Sequence, residues 1–183
     1  MSNLSRTEIE LLVVTGVYAV ALVLVAYFTR AGRRRVVGAL AGGLSAVVVG
    51  LIATTVAELN DWWRIPVMHA ASGRAVMSVG FAISATPVLL VTWRVVRRFG
   101  IRGLAVCVAL AAMVGPPRNY AYAALFPNWV AFSPGMAPVL AVAVTFALWI
   151  ALGHGVMRLV AGPADADPLR GHPERLDRLL TEP

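Results

Sequence analysis

The sequence contains no lysine and one cysteine, and between Leu11 and Ala164 only two acidic residues, Glu58 and Asp61. Each scarcity excludes something. A single thiol forms no intramolecular disulfide and no metal site, so Cys107, inside an apolar run, reads as a small buried hydrophobe. Two carboxylates in so long a stretch leave too little charge to solvate a water-soluble domain. There is no phosphate-cradling glycine loop, no CxxC or HExxH, no nucleophile elbow and no dinucleotide fingerprint. The polar segments are too short for a separate catalytic domain. The N-terminus lacks a basic region and a small-residue cleavage site, so the first apolar run reads as a retained anchor.

What is present is apolar: 59% of the 183 residues are hydrophobic and 14% charged. Runs too long for globular helices predict an all-α, polytopic integral membrane protein, a five-helix transmembrane bundle with a broken or kinked fourth helix. The spans are expected at about 8–29, 36–60, 74–94, 101–126 and 136–159, within a transmembrane domain of residues 1–160. Residues 161–183 form a polar cytoplasmic tail with a short helix near 174–180. Thr7 with Glu10, or Ser5 with Glu8, offers a capping box for the first span.

Small residues pattern the second span. Gly38 and Gly42 form a GxxxG pair, Ala39 and Gly43 repeat it, and Gly50 follows. Such spacing lets helix backbones approach closely in lipid, and this helix is expected to be central. In the fourth span, only residues 103–114 precede Gly115-Pro116-Pro117. That is too short for a crossing of about twenty residues. The helix either kinks at the prolines and continues to about Phe126, or breaks and re-enters.

The charge of +7 comes from sixteen arginines that flank the spans instead of lining one polar face, which argues against nucleic acid. Five spans would put twelve of them on one side, and leave Arg6, Arg64, Arg74 and Arg118 on the other. The positive-inside rule then sets the N-terminus outside and the C-terminus in the cytoplasm of a multi-pass cell-membrane protein. Trp62, Trp63 and Trp129 fall at the outer interface and Trp93 at the inner one, as an aromatic belt requires, while Trp149 falls within a span, where it packs.

Counting about twenty residues per crossing brings Glu58, Asp61, Arg74 and Arg118 to one layer near the outer face, with His69, Asn119, Tyr120 and Tyr122 nearby. Thr54, Glu58 and Asp61 follow at i, i+4 and i+7 and share a helical face. If that face points inward, Glu58 and Asp61 are candidate catalytic acids, with Arg118 or Arg74 as charge partner. Trp62, Trp63, His69, Arg74, Arg118, Asn119, Tyr120 and Tyr122 are the candidate substrate-binding residues. The blander reading is that these are ordinary helix-end charges and interfacial tryptophans. His69 and His154 fall at opposite faces, so no metal and no cofactor is expected.

These features fit a membrane-embedded enzyme acting on a lipid-like or isoprenoid chain. A carboxyl group would protonate an alkene or epoxide and aromatic faces would stabilise the cation. The compact apolar bundle with Glu58 and Asp61 resembles the small integral-membrane terpene cyclases, a resemblance that implies helical architecture and essential acidic residues. It covers the helical body in kind, and no residue role is carried over from it. The alternative is a non-enzymatic membrane subunit or small transporter, binding an apolar ligand, a membrane-protein partner or a second copy through the glycine face. The bilayer is the partner common to every reading.

Overall fold

The structure, a computed structural model, describes residues 6–163. It contains α1 (Arg6–Thr29), α2 (Arg33–Leu59), α3 (Ala71–Leu125) and α4 (Met136–Ala161). A 3-10 turn (Pro66–His69) and two short strands, β1 (Trp63–Arg64) and β2 (Ala131–Phe132), make up the rest of the regular structure. All four helices are long and apolar enough to cross a membrane. The expected tail helix and Ser5 lie outside the described residues. Thr7 lies inside α1 and caps nothing, and Glu10 instead pairs with Arg6 at 3.0 Å.

Four helices are present where five were expected, because the spans anticipated at 74–94 and 101–126 both fall within the 55 residues of α3. A straight helix of that length would reach roughly 80 Å at 1.5 Å per residue. This one turns back. Gly100 has φ 62° and ψ −145°, a conformation essentially confined to glycine. Gly80 on the first limb lies against Thr15, and Arg94, further along, donates to the Thr29 carbonyl at 3.0 Å. On the second limb Tyr122 returns to Tyr18, with 3.0 Å between hydroxyls. The two limbs therefore run antiparallel along α1.

Of the two courses expected at Gly115-Pro116-Pro117, the chain takes the first: the backbone stays helical through both prolines to Leu125 and does not break and re-enter. Proline disfavours helix at the preceding residue by clashing with its Cβ, and Gly115, which has none, spares Pro116 that clash. The Phe146 ring fills that space, 2.5 Å from where a Cβ would stand.

The glycines of α2 bring three helices together. A Cβ on Gly38 would meet Ala161 at 2.6 Å, one on Gly42 would meet the Gly153 carbonyl at 2.5 Å, and one on Gly43 would meet the Ala82 carbonyl at 2.6 Å. Gly38, Ala39, Gly42, Gly43 and Ala46 are buried, so α4 and α3 cover the face offered for a partner. The helix is central.

Arginine closes this end of the bundle. Arg35 donates to the carbonyls of Gly162 and Pro163 at 2.7 and 2.9 Å, just past the end of α4, and its guanidinium lies 5.1 Å from the Trp93 ring. Arg94 does the same for the end of α1 at Thr29. Helix C-termini present unpaired carbonyls and partial negative charge, which cations satisfy. Trp93, 1% exposed, is thus part of the interior, as are Trp63 and Trp129. Of the expected belt only Trp62 is part-exposed, because the others pack on neighbouring rings and guanidinium groups. Trp149 packs edge-on against Phe146 at 5.5 Å.

Replacing Gly42 by alanine is expected to cost about 1–3 kcal/mol, since a methyl against a backbone carbonyl cannot be relieved by a rotamer change. The same change at Gly16, which has nothing within 4 Å, is the control. Thermal unfolding in detergent is expected to show a lowered Tm for the first and an unchanged or raised one for the second.

Candidate functional site

At the end opposite Arg35 the helices separate around a cavity of about 180 Å³. Its wall comes from α1 (Leu11, Thr15, Tyr18), α2 (Val47, Gly50, Ala53, Thr54), both limbs of α3 (Ser78, Phe81, Ser84; Arg118, Tyr122) and α4 (Val142, Thr145, Phe146). Trp63, Trp129 and Phe132 line its outer end.

The connections at this end form a lid. β1 and β2 pair antiparallel with Trp63 opposite Phe132 and Arg64 opposite Ala131. Ser133 extends the ribbon, donating its N–H to the Trp62 carbonyl at 2.9 Å and its hydroxyl to that of Asp61. Aromatic rings fasten the ribbon to the second limb of α3: Phe132 stacks on Tyr120 at 4.4 Å, and Trp129 on Phe126 at 4.3 Å. Parallel-offset rings at such distances add attraction beyond the area they bury.

The polar part of the wall centres on Arg118. Its guanidinium donates to the Tyr18 hydroxyl at 2.8 Å and, at 3.4 Å, to Asn119 Oδ1, and it lies 4.8 Å from the Tyr122 ring. Tyr18 and Tyr122 share a hydrogen bond, so α1 and α3 are joined by three polar groups. Of the expected binding residues, the structure thus gathers Trp63, Arg118, Asn119 and Tyr122 on the cavity, with Tyr120 supporting its lid.

The carboxylates are elsewhere. α2 ends at Leu59, so Asp61 does not continue the face of Thr54 and Glu58. Asp61 has φ 54°, and the Trp62 N–H reaches back to the Ala57 carbonyl at 2.8 Å. That is the left-handed residue of a Schellman helix end, a position aspartate tolerates better than most residues. Its side chain, 74% exposed, pairs with Arg64 at 2.7 Å. Glu58 is nearest His69, at 3.9 Å, with the His69 side chain 68% exposed. Arg74 donates to the Met68 carbonyl at 3.1 Å. Neither Arg118 nor Arg74 is the partner of a described carboxylate, and Glu58, Asp61, His69, Arg74 and Trp62 do not line the cavity. His154, 1% exposed, is buried in α4, away from the cavity wall.

Sequence reasoning missed Tyr18, Phe81, Phe132 and Phe146. Tyr18 carried a usable signal, since Thr15 and Tyr18 are hydroxyl-bearing residues one turn apart in an otherwise apolar run. Phe81, Phe132 and Phe146 carried none. No protein-family model, curated protein or solved structure matches this chain.

The helix-end role of Asp61 has a direct test. Asp61→Gly is expected to leave stability unchanged or slightly raised, and Asp61→Val to lower it by about 1–2 kcal/mol, because a β-branched residue resists positive φ. Unfolding curves of the two variants in detergent decide it: equal destabilisation by both would mean that the carboxylate itself matters.

Proposed function

We propose that the chain is a multi-pass membrane protein that holds a lipid-like or isoprenoid chain in the cavity beneath the β1–β2 lid. The two limbs of α3 count as separate crossings in this reading, which gives five. The arginine distribution then puts the lid outside, with the N-terminus, and the Arg35 end in the cytoplasm. The observation that carries the reading is the cavity: apolar and aromatic walls drawn from every helix, with polar groups converging at one place. Ligand sites have this composition. A groove of about 630 Å³ between α2 and α4 shares Ala53, Trp63 and Thr145 with the cavity as a common wall.

Acid-initiated cyclisation is the second reading, favoured by the rings of Trp63, Phe81, Phe132 and Phe146 on the cavity. A carboxyl proton would add to an alkene or epoxide, another double bond of the chain would trap the cation, and loss of a proton would end the reaction. Aromatic faces stabilise such cations. Glu58 and Asp61 stand outside the cavity wall, so this reading requires the substrate's reacting end at the rim.

Mass spectrometry of apolar molecules that co-purify with the chain tests both readings. Ser84→Phe, which fills the cavity, is expected to lose the bound molecule about tenfold or more, by overpacking the space it occupies. Glu58→Gln with Asp61→Asn is expected to retain it. An unconverted precursor trapped in the double variant alone would favour cyclisation. Only bulk phospholipid on both the wild type and Ser84→Phe would overturn the cavity reading.

A further inference from the structure

We propose that the ligand of this cavity carries an anionic oxygen head, a carboxylate or phosphate, held by Arg118; the inference rests on the cavity reading above. Arg118 lies seven residues before the end of α3, roughly 10 Å of helix at 1.5 Å per residue, which under the five-crossing reading puts it slightly inside the apolar layer. A guanidinium at such a depth is costly unless an anion or a set of acceptors meets it. No described carboxylate does so, the ion pairs at this end being Asp61 with Arg64 and Glu58 with His69. Its protein acceptors are the Tyr18 hydroxyl and, at 3.4 Å, the Asn119 amide oxygen.

The balance of donors and acceptors points the same way. Arginine has five N–H donors, of which these two contacts engage two. Tyr18 and Tyr122 bring two hydroxyl protons to one mutual hydrogen bond, so whichever of them donates, one proton is left over. Within the cluster of Arg118, Tyr18 and Tyr122, all three on the cavity wall, donors are in excess. Carboxylate and phosphate are acceptor-rich, and guanidinium matches either through two parallel bonds. An alcohol or a hydrocarbon end leaves the charge to neutral partners alone, the Tyr18 hydroxyl, the Asn119 amide and the rings of Tyr122 and Phe146. The anion neutralises Arg118 while the apolar tail lies against Phe81, Phe146 and Val142.

Matched probes of one chain length separate the head from the tail. Purified full chain in a maltoside detergent is titrated at mildly alkaline pH with a terminally brominated undecanoate, the corresponding alkyl phosphate and the corresponding alcohol. Bromine quenches nearby tryptophan fluorescence, and Trp63 and Trp129 line the cavity. Both anions are expected to bind about tenfold or more tighter than the alcohol, the usual advantage of charge-assisted hydrogen bonds. Arg118→Gln is expected to bring the anions to the alcohol's affinity without weakening the alcohol, and Arg118→Lys to keep much of the preference. The ranking of carboxylate against phosphate then identifies the head. Equal binding of acid and alcohol by the wild type, or a preference that survives Arg118→Gln, overturns the anionic head and leaves the apolar cavity standing. If none of the three probes binds saturably, the cavity reading falls and this inference with it. The wild-type comparison is decisive even if Arg118→Gln fails to fold.

Discussion

The approach of α2 to α4 at Gly42 and Gly153 fixes the geometry of the whole bundle. With a carbonyl of one helix at van der Waals distance from the backbone of the other, the axes are held as closely as helices pack, and Leu89 of α3 fills the notch above both glycines. In lipid the hydrophobic effect does little to join helices, so dispersion between close backbones has to supply the attraction. The cluster around this point, Ala39, Leu89, Leu90, Trp93 and Met157, is correspondingly solid. The contact also sets what happens further along. The small residues at Gly38, Ala39, Gly42, Gly43 and Ala46 end where the cavity wall begins, at Val47. Beyond that point α2 contributes Val47, Gly50, Ala53 and Thr54 to the cavity, which lies between it, α1, α3 and α4.

A cavity at the open end of a bundle would be continuous with the surroundings unless something closed it. Here two connections that read as ordinary loops pair as a minimal ribbon. Two residues per strand supply few hydrogen bonds, and an isolated two-stranded ribbon is marginal. What holds this one is the aromatic stack beneath it, Phe132 on Tyr120 and Trp129 on Phe126, together with the Schellman end of α2 that aims the chain into β1. The tryptophans that the sequence suggests as membrane anchors are therefore better described as parts of the lid and the core.

How much of this was legible follows from what each kind of pattern encodes. Hydropathy and length placed the apolar helices to within a few residues, because a bilayer leaves the backbone little choice. The GxxxG spacing correctly marked α2 as central, but spacing does not tell a face used within the chain from one offered to another, and Gly42 is used within. The prolines left two courses open because their effect depends on the residue before them; Gly115 spares Pro116 one clash, and the helix continues to Leu125. The discontinuity at Gly100 falls in the basic turn expected between the spans at 74–94 and 101–126; what length and hydropathy did not show is that helix continues on both sides up to that one glycine. At the site, counting residues per crossing gave depth alone. Depth put Glu58, Asp61 and Arg118 in one layer; it carried no information on direction around the helix axis, which separates Arg118 from the carboxylates. Nor could periodicity see that α2 stops at Leu59, before Asp61 can join the face of Thr54.

The electrostatic consequence reverses the emphasis that scarcity suggests. Two acidic residues in a long apolar stretch draw attention because a carboxylate is expensive in lipid, yet both reach the surface beside basic side chains, Asp61 largely exposed and Glu58 part-exposed. Arginine is plentiful, so a single one is easily passed over. Most of the other described arginines lie in turns or near helix ends, where carbonyls can receive them, as Arg35 and Arg94 show. Arg118 differs in facing a cavity with neutral partners only. The cost of holding a charge in such a place depends on what accompanies it, and a carboxylate from the protein placed there would pair with it and close the site. Leaving the cation to neutral tyrosines keeps its charge unneutralised, which is the condition under which an incoming anion gains most by binding.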